Sequence, residues 1–84
     1  MTLEEFQVFA SETIHALDPA AVVTFENDCG VVDENDKRMR HFWAANIDLN
    51  GRRITVACEA DLGQIDFRDS FRFHAERSVE RLLV

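Results

Sequence analysis

The sequence predicts an α+β domain of order α-β-β-β-α, a three-stranded antiparallel sheet with two helices packed on one of its faces. Three observations carry that prediction. Apolar residues recur at helical spacing near both ends of the chain, an Asn-Gly pair joins two alternating runs in the middle, and a short β-branched run precedes them. With 84 residues, 46% of them apolar and 30% charged, residues 1–84 read as a single globular domain. A chain this short buries only roughly 60–65% of the surface its unfolded form exposes, so one modest core is expected and a deep substrate cavity is not.

Thr2-Leu3-Glu4-Glu5 has the form of a capping box, with the Thr2 hydroxyl at N-cap and Glu5 at N3. Leu3, Phe6, Phe9, Ala10, Thr13, Ile14 and Leu17 then share one side of a helix over residues 3 to 17, with Glu4, Ser11, Glu12 and His15 opposite. Asp18-Pro19 ends it, because proline disfavours helical geometry in the residue before it. Ala21 to Glu26 reads as a strand running into a turn at Asn27-Asp28-Cys29-Gly30. Residues 27 to 38 then form an acidic connection interrupted by Val31-Val32, which either extend a strand or cap the loop.

Residues 39 to 61 read as one hairpin closed on Asn50-Gly51, a pair that favours the type I′ turn because both central residues take φ > 0. Counting back from that turn pairs Leu49 with Arg52, Asp48 with Arg53, Ile47 with Ile54, Asn46 with Thr55, Ala45 with Val56 and Trp43 with Cys58. Trp43, Ala45, Ile47, Ile54, Val56 and Cys58 then form an apolar face. Arg40, Phe42, Ala44, Asn46, Asp48, Arg53, Thr55, Ala57 and Glu59 form the other, expected to be open to water. A one-residue slip would exchange the faces and part Asp48 from Arg53. Residues 64 to 73 fit two patterns: Ile65, Phe67, Phe71 and Phe73 alternate as in a strand, while Phe67, Phe71, Ala75, Val79 and Leu82 fall on one helical face. Length favours a helix over residues 68 to 83, with Asp66 or Asp69 as N-cap and Phe73 turned off the core toward Arg77.

Charge is distributed unevenly. The net charge is −7, yet residues 1 to 36 hold nine acids and no Lys or Arg, whereas residues 37 to 84 hold seven acids and nine bases. Such asymmetry bears on partners rather than on fold: an acidic surface repels phosphates and attracts basic protein surfaces. Cys29 and Cys58 are too few for a disulfide scaffold, and no Cys-x-x-Cys pair occurs. His15, His41 and His74 have no local partner at metal-ligand or nucleophile-base spacing. Asp33-Glu34-Asn35-Asp36 begins like a calcium loop, but Lys37 and Arg38 follow and no glycine and glutamate complete it. The chain therefore reads as non-enzymatic, with no cofactor and no metal. No run approaches a membrane span and residues 1 to 10 lack signal-peptide character, so a cytoplasmic location away from membranes is expected.

The element order, His41, the Asn50-Gly51 hairpin and the apolar spacing of Ala75-Glu76-Arg77-Ser78-Val79-Glu80-Arg81-Leu82-Leu83 together resemble the double-stranded-RNA-binding domain. That resemblance implies two helices on one face of a three-stranded sheet, and duplex RNA as ligand. RNA-binding members carry a lysine cluster at the start of the last helix, where this chain has Asp66-Phe67-Arg68-Asp69-Ser70. Their first helix contacts the minor groove, whereas here it offers acids and His15. The resemblance therefore carries the fold and not the RNA contacts. A nucleic-acid reading through Arg40, Arg52, Arg53, Arg68 and Arg72 is weakened by the excess of acids.

The candidate binding residues are Glu26, Asp28, Asp33, Glu34 and Asp36, whose carboxylates would imitate a phosphate backbone, and Phe42, an aromatic expected on the open face beside Ala44 and Ala57. A solubilising loop is the plain alternative for the acids, and cover by residues 62 to 67 is the alternative for Phe42. In small size, acidity and lack of catalytic motifs the chain is similar to phage-encoded inhibitors of bacterial defence, the anti-CRISPR proteins among them. That likeness implies an inhibitor whose partner is a protein with a basic, nucleic-acid-binding surface. A second reading is a homodimer with Phe42 or Phe73 at the contact.

Overall fold

The computed structural model describes residues 2–32, 35, 39–59 and 68–84, with side chains placed at 2–26, 35, 42–57 and 68–84. Its elements are α1 (Leu3–Leu17), β1 (Val22–Val32), β2 (Met39–Leu49), β3 (Arg52–Glu59) and α2 (Arg68–Leu83), the expected order. The sheet runs β1-β2-β3 with both pairs antiparallel. Both helices pack on the face that carries Ala45, Ile47 and Val56.

Local chemistry sets the bounds of α1. The Thr2 hydroxyl accepts from the Glu5 amide at 3.1 Å and donates to Glu5 Oε1 at 3.2 Å, so the box closes through the hydroxyl on both sides. At the other end Asp18 is extended at φ −153°, as its proline neighbour requires. Its carboxylate accepts from the Ala20 amide at 2.9 Å and turns the chain toward the sheet.

β1 departs from expectation. Asn27-Asp28-Cys29-Gly30 is not a turn; the strand continues through it to Val32, and Val31-Val32 extend the strand. Glu26 pairs with Ala44 and Cys29 with Phe42, so β1 spends one more residue than β2 over that interval. This is a β-bulge, the arrangement by which turn-forming residues are taken into a strand when a long partner offers ladder bonds beyond them. The connection to β2 shrinks to residues 33–38.

The hairpin is paired in the expected register, from Leu49 with Arg52 out to Trp43 with Cys58. Asn50 at φ 57° and Gly51 at φ 74° supply the two positive dihedrals of a type I′ turn. The same turn holds α2. Asn50 Nδ2 donates to the Leu82 carbonyl at 3.2 Å, and Arg52 Nη2 donates to the carbonyls of Arg81, Leu82 and Val84, each 2.8 Å away. A guanidinium set against the negative end of a helix answers carbonyls that the helix itself leaves unpaired. At the start of α2, Asp69 lies inside the first turn and is not the N-cap; Asp66 lies outside the described residues.

Phe6 is the hub of the core. It is fully buried, and its ring meets Phe25, Trp43 and Phe71 at centroid distances of 6.1, 5.6 and 5.6 Å, which joins α1 to β1, β2 and α2. Ala10, Ile14, Ala21, Ala45, Ile47, Val56, Ala75, Val79 and Leu82 complete the buried cluster, the small residues letting the helices approach the sheet closely. Truncating Phe6 to Ala should lower the unfolding free energy by about 3–5 kcal/mol in urea titration, a large part of the roughly 5–15 kcal/mol such domains possess. Replacing Arg52 with Met keeps the stem and removes the donors to α2; thermal unfolding should fall by about 5–10 °C, corresponding to about 1–2 kcal/mol in a domain of this size.

Candidate functional site

The sheet register places the candidate residues on known faces. Glu26 is exposed on the face turned away from both helices, beside Ala44. Phe42 is half-buried on the same face, paired with Cys29 on one side and Glu59 on the other. Asp28 lies at the bulge in β1 rather than in a loop, and its side chain is outside the described set. Asp33, Glu34 and Asp36 lie outside the described residues, as do residues 62 to 67, the alternative cover for Phe42.

This face is less open than alternation alone suggests. Val22, Thr24, Glu26, Arg53, Thr55 and Ala57 on the outer strands are exposed, but Ala44 and Asn46 on the central strand are buried. Both lie on the central strand, Ala44 between Glu26 and Ala57 and Asn46 between Thr24 and Thr55, so each is covered from a neighbouring strand on either side. Thr55 Oγ1 donates to Asn46 Oδ1 at 2.6 Å, so the buried amide oxygen is satisfied across the pair. Arg53 closes on Asp48 with Nε at 2.8 Å from Oδ1 and Nη2 at 3.1 Å from Oδ2, the fork that the hairpin register requires. Those bonds and the Asp48 charge raise the guanidinium pKa further, and the nearby charge of Glu26 adds to the effect. Glu26 thus belongs to a mixed field with Arg53 rather than to a purely anionic patch.

A second set of acids stands on the opposite side of the molecule. At about 100° per residue, Glu4, Glu5 and Glu12 fall within about a quarter-turn of the α1 surface, with Val8 between them. All four are exposed, Val8 at 58%. Phe9 lies at the edge of this arc, half-buried against Phe71 at 5.6 Å and beneath the Arg72 guanidinium at 5.2 Å. With Arg68 from the first turn of α2, these residues line a surface groove of about 500 Å³. Helix α1 contains no Lys or Arg, so three carboxylates and one guanidinium border an apolar floor. Sequence reasoning placed Glu4 and Glu12 on the polar side of the helix and went no further. The residue that completes the groove, Arg68, comes from α2, some sixty positions away.

His15 Nε2 lies 3.1 Å from the Ala21 carbonyl, and the His74 ring packs edge-on against Phe73 at 5.5 Å. Among the described residues no group of three or more His, Cys, Asp or Glu side chains is placed to hold a metal, and no helix is long and apolar enough to cross a membrane. Comparison with models of known protein families, with curated proteins and with solved structures finds no match for this chain.

Proposed function

We propose that this chain is a non-enzymatic acidic binding protein that occupies a basic, nucleic-acid-binding surface on a protein partner, as small phage-encoded inhibitors of the anti-CRISPR type do. The observation that supports this reading is the outer face of α1, where Glu4, Glu5 and Glu12 surround exposed Val8 on a helix that carries no Lys or Arg. Carboxylates fixed on one arc attract a basic partner and orient it, while Val8 and Phe9 supply apolar area that becomes desolvated on contact. Glu4 and Glu12 are separated by two turns, about 12 Å along the axis, so the face spans several phosphate positions of a nucleic-acid strand. Asp28, Asp33, Glu34 and Asp36 form a second acidic run in the sequence to which the same reading extends.

Capture of a partner from host lysate by the native chain, followed by titration of that partner, tests the proposal. Replacing Glu4, Glu5 and Glu12 together with Gln should weaken binding by about 3- to 100-fold at low ionic strength, since exposed pairs contribute roughly 0.2–1 kcal/mol each. The difference should shrink as salt rises, and duplex nucleic acid should displace the chain. A parallel variant with Asp33→Asn, Glu34→Gln and Asp36→Asn reports on the second run. Retention that ignores both triple variants, or that duplex nucleic acid does not compete for, overturns the proposal.

A further inference from the structure

Helix α2 turns a face outward that the core does not use. Phe73 stands at its centre, 49% exposed, with Arg77 Cζ 4.5 Å from the ring centroid. Helical spacing puts Glu76 and Glu80 on one side of Phe73 and Arg77 and Arg81 on the other. These five residues line a groove of about 460 Å³. All four charged side chains are exposed, and none forms an ion pair with another described residue. Each row is like-charged at a spacing of four residues, an arrangement that destabilises a helix on its own.

We infer that this face binds a second copy of the chain, α2 against α2 in parallel, about a two-fold axis that runs along the groove. Rotation about such an axis exchanges left and right. The acidic row of each protomer then lies against the basic row of the other at both edges, and the two Phe73 rings meet at the axis. An antiparallel pair would instead set arginines on arginines. A uniformly basic or uniformly acidic partner meets one like-charged row whichever way it docks, whereas a second copy meets none. That is the observation that selects a copy of this chain as the occupant. Two helices of 16 residues bury less than the roughly 800 Å² per partner of a standard stable interface, so the dimer is weak and concentration-dependent. The inference is independent of the acidic face on α1.

Sedimentation equilibrium of the native chain from about 10 μM to about 1 mM should show a monomer–dimer equilibrium that weakens as salt rises. The R77E/R81E variant has an all-acidic face and the E76R/E80R variant an all-basic one; each should associate at least about tenfold more weakly than the native chain. An equimolar mixture of the two should form a heterodimer, and the fourfold exchange E76R/R77E/E80R/R81E should restore self-association. Phe73→Ser leaves all four charges in place and should also weaken the dimer, which guards against loss of helix in the charge variants. A native chain monomeric throughout that range, a dimer indifferent to single-row reversal, or opposite variants that fail to pair would overturn the inference.

Discussion

The rest of the structure depends on the Asn50-Gly51 turn. Positive φ at both positions fixes the twist and pairing of β2 and β3, and because side chains alternate, it decides which six residues of the hairpin face the helices. Asn50 and Arg52 then reach across to the last carbonyls of α2. One tight turn therefore sets the register of the sheet and anchors the terminus of a helix some thirty residues later. In a domain with so small a core, such double use matters, because no large apolar reservoir is available to hold α2 in place by burial alone.

With register fixed, the aromatic residues determine how the helices sit. Phe6 lies between Phe25, Trp43 and Phe71, so α1 and α2 are joined through one ring that both the sheet and the second helix touch. The polar sides of the helices follow from this packing. With Phe6, Ala10 and Ile14 buried, Glu4, Glu5 and Glu12 must point to water, and with Phe71, Ala75, Val79 and Leu82 buried, Glu76, Arg77, Glu80 and Arg81 must do the same. The surface charge pattern is the complement of the core pattern.

Much of this was legible in the sequence because it is local. The capping box at Thr2, the stop at Asp18-Pro19, the register counted from Asn50-Gly51, the Asp48–Arg53 pair and the stacking of Arg77 on Phe73 all involve residues within fifteen positions of one another. The bulge was missed because Asn27 to Gly30 has turn composition; only the length of β2, which offers Phe42 and His41 as partners beyond it, keeps the chain in the sheet. Asp69 fits an N-cap in composition, yet the helix begins one residue before it. The α1 groove was missed for a different reason. Glu4 and Glu12 are visible on a helical wheel, but Phe71 beneath Phe9 and Arg68 at the rim come from α2, and one helix's periodicity says nothing about another's docking. The burial of Ala44 and Asn46 on the face without helices likewise follows from their place on the central strand, with a paired strand on each side, which alternation does not encode.

Why the acids keep their influence despite nine bases follows from where the described arginines go. Arg52 is held at the end of α2, Arg53 on Asp48, Arg72 over Phe9 and beside Asp69, and Arg77 over Phe73. Their charges still contribute to the distant field, but at physiological ionic strength that field decays over about 8 Å, so a docking partner responds to the groups nearest the contact. Around Val8 those groups are Glu4, Glu5 and Glu12, with Arg68 at the rim and Arg72 over Phe9. Around Glu26, on the other side of the sheet, Arg53 is close enough to matter. The described acids of the first 36 residues are therefore divided by the fold: Glu26 stands near Arg53 on the outer sheet face, and Glu4, Glu5 and Glu12 on α1 face outward, outnumbering Arg68 and Arg72 beside them.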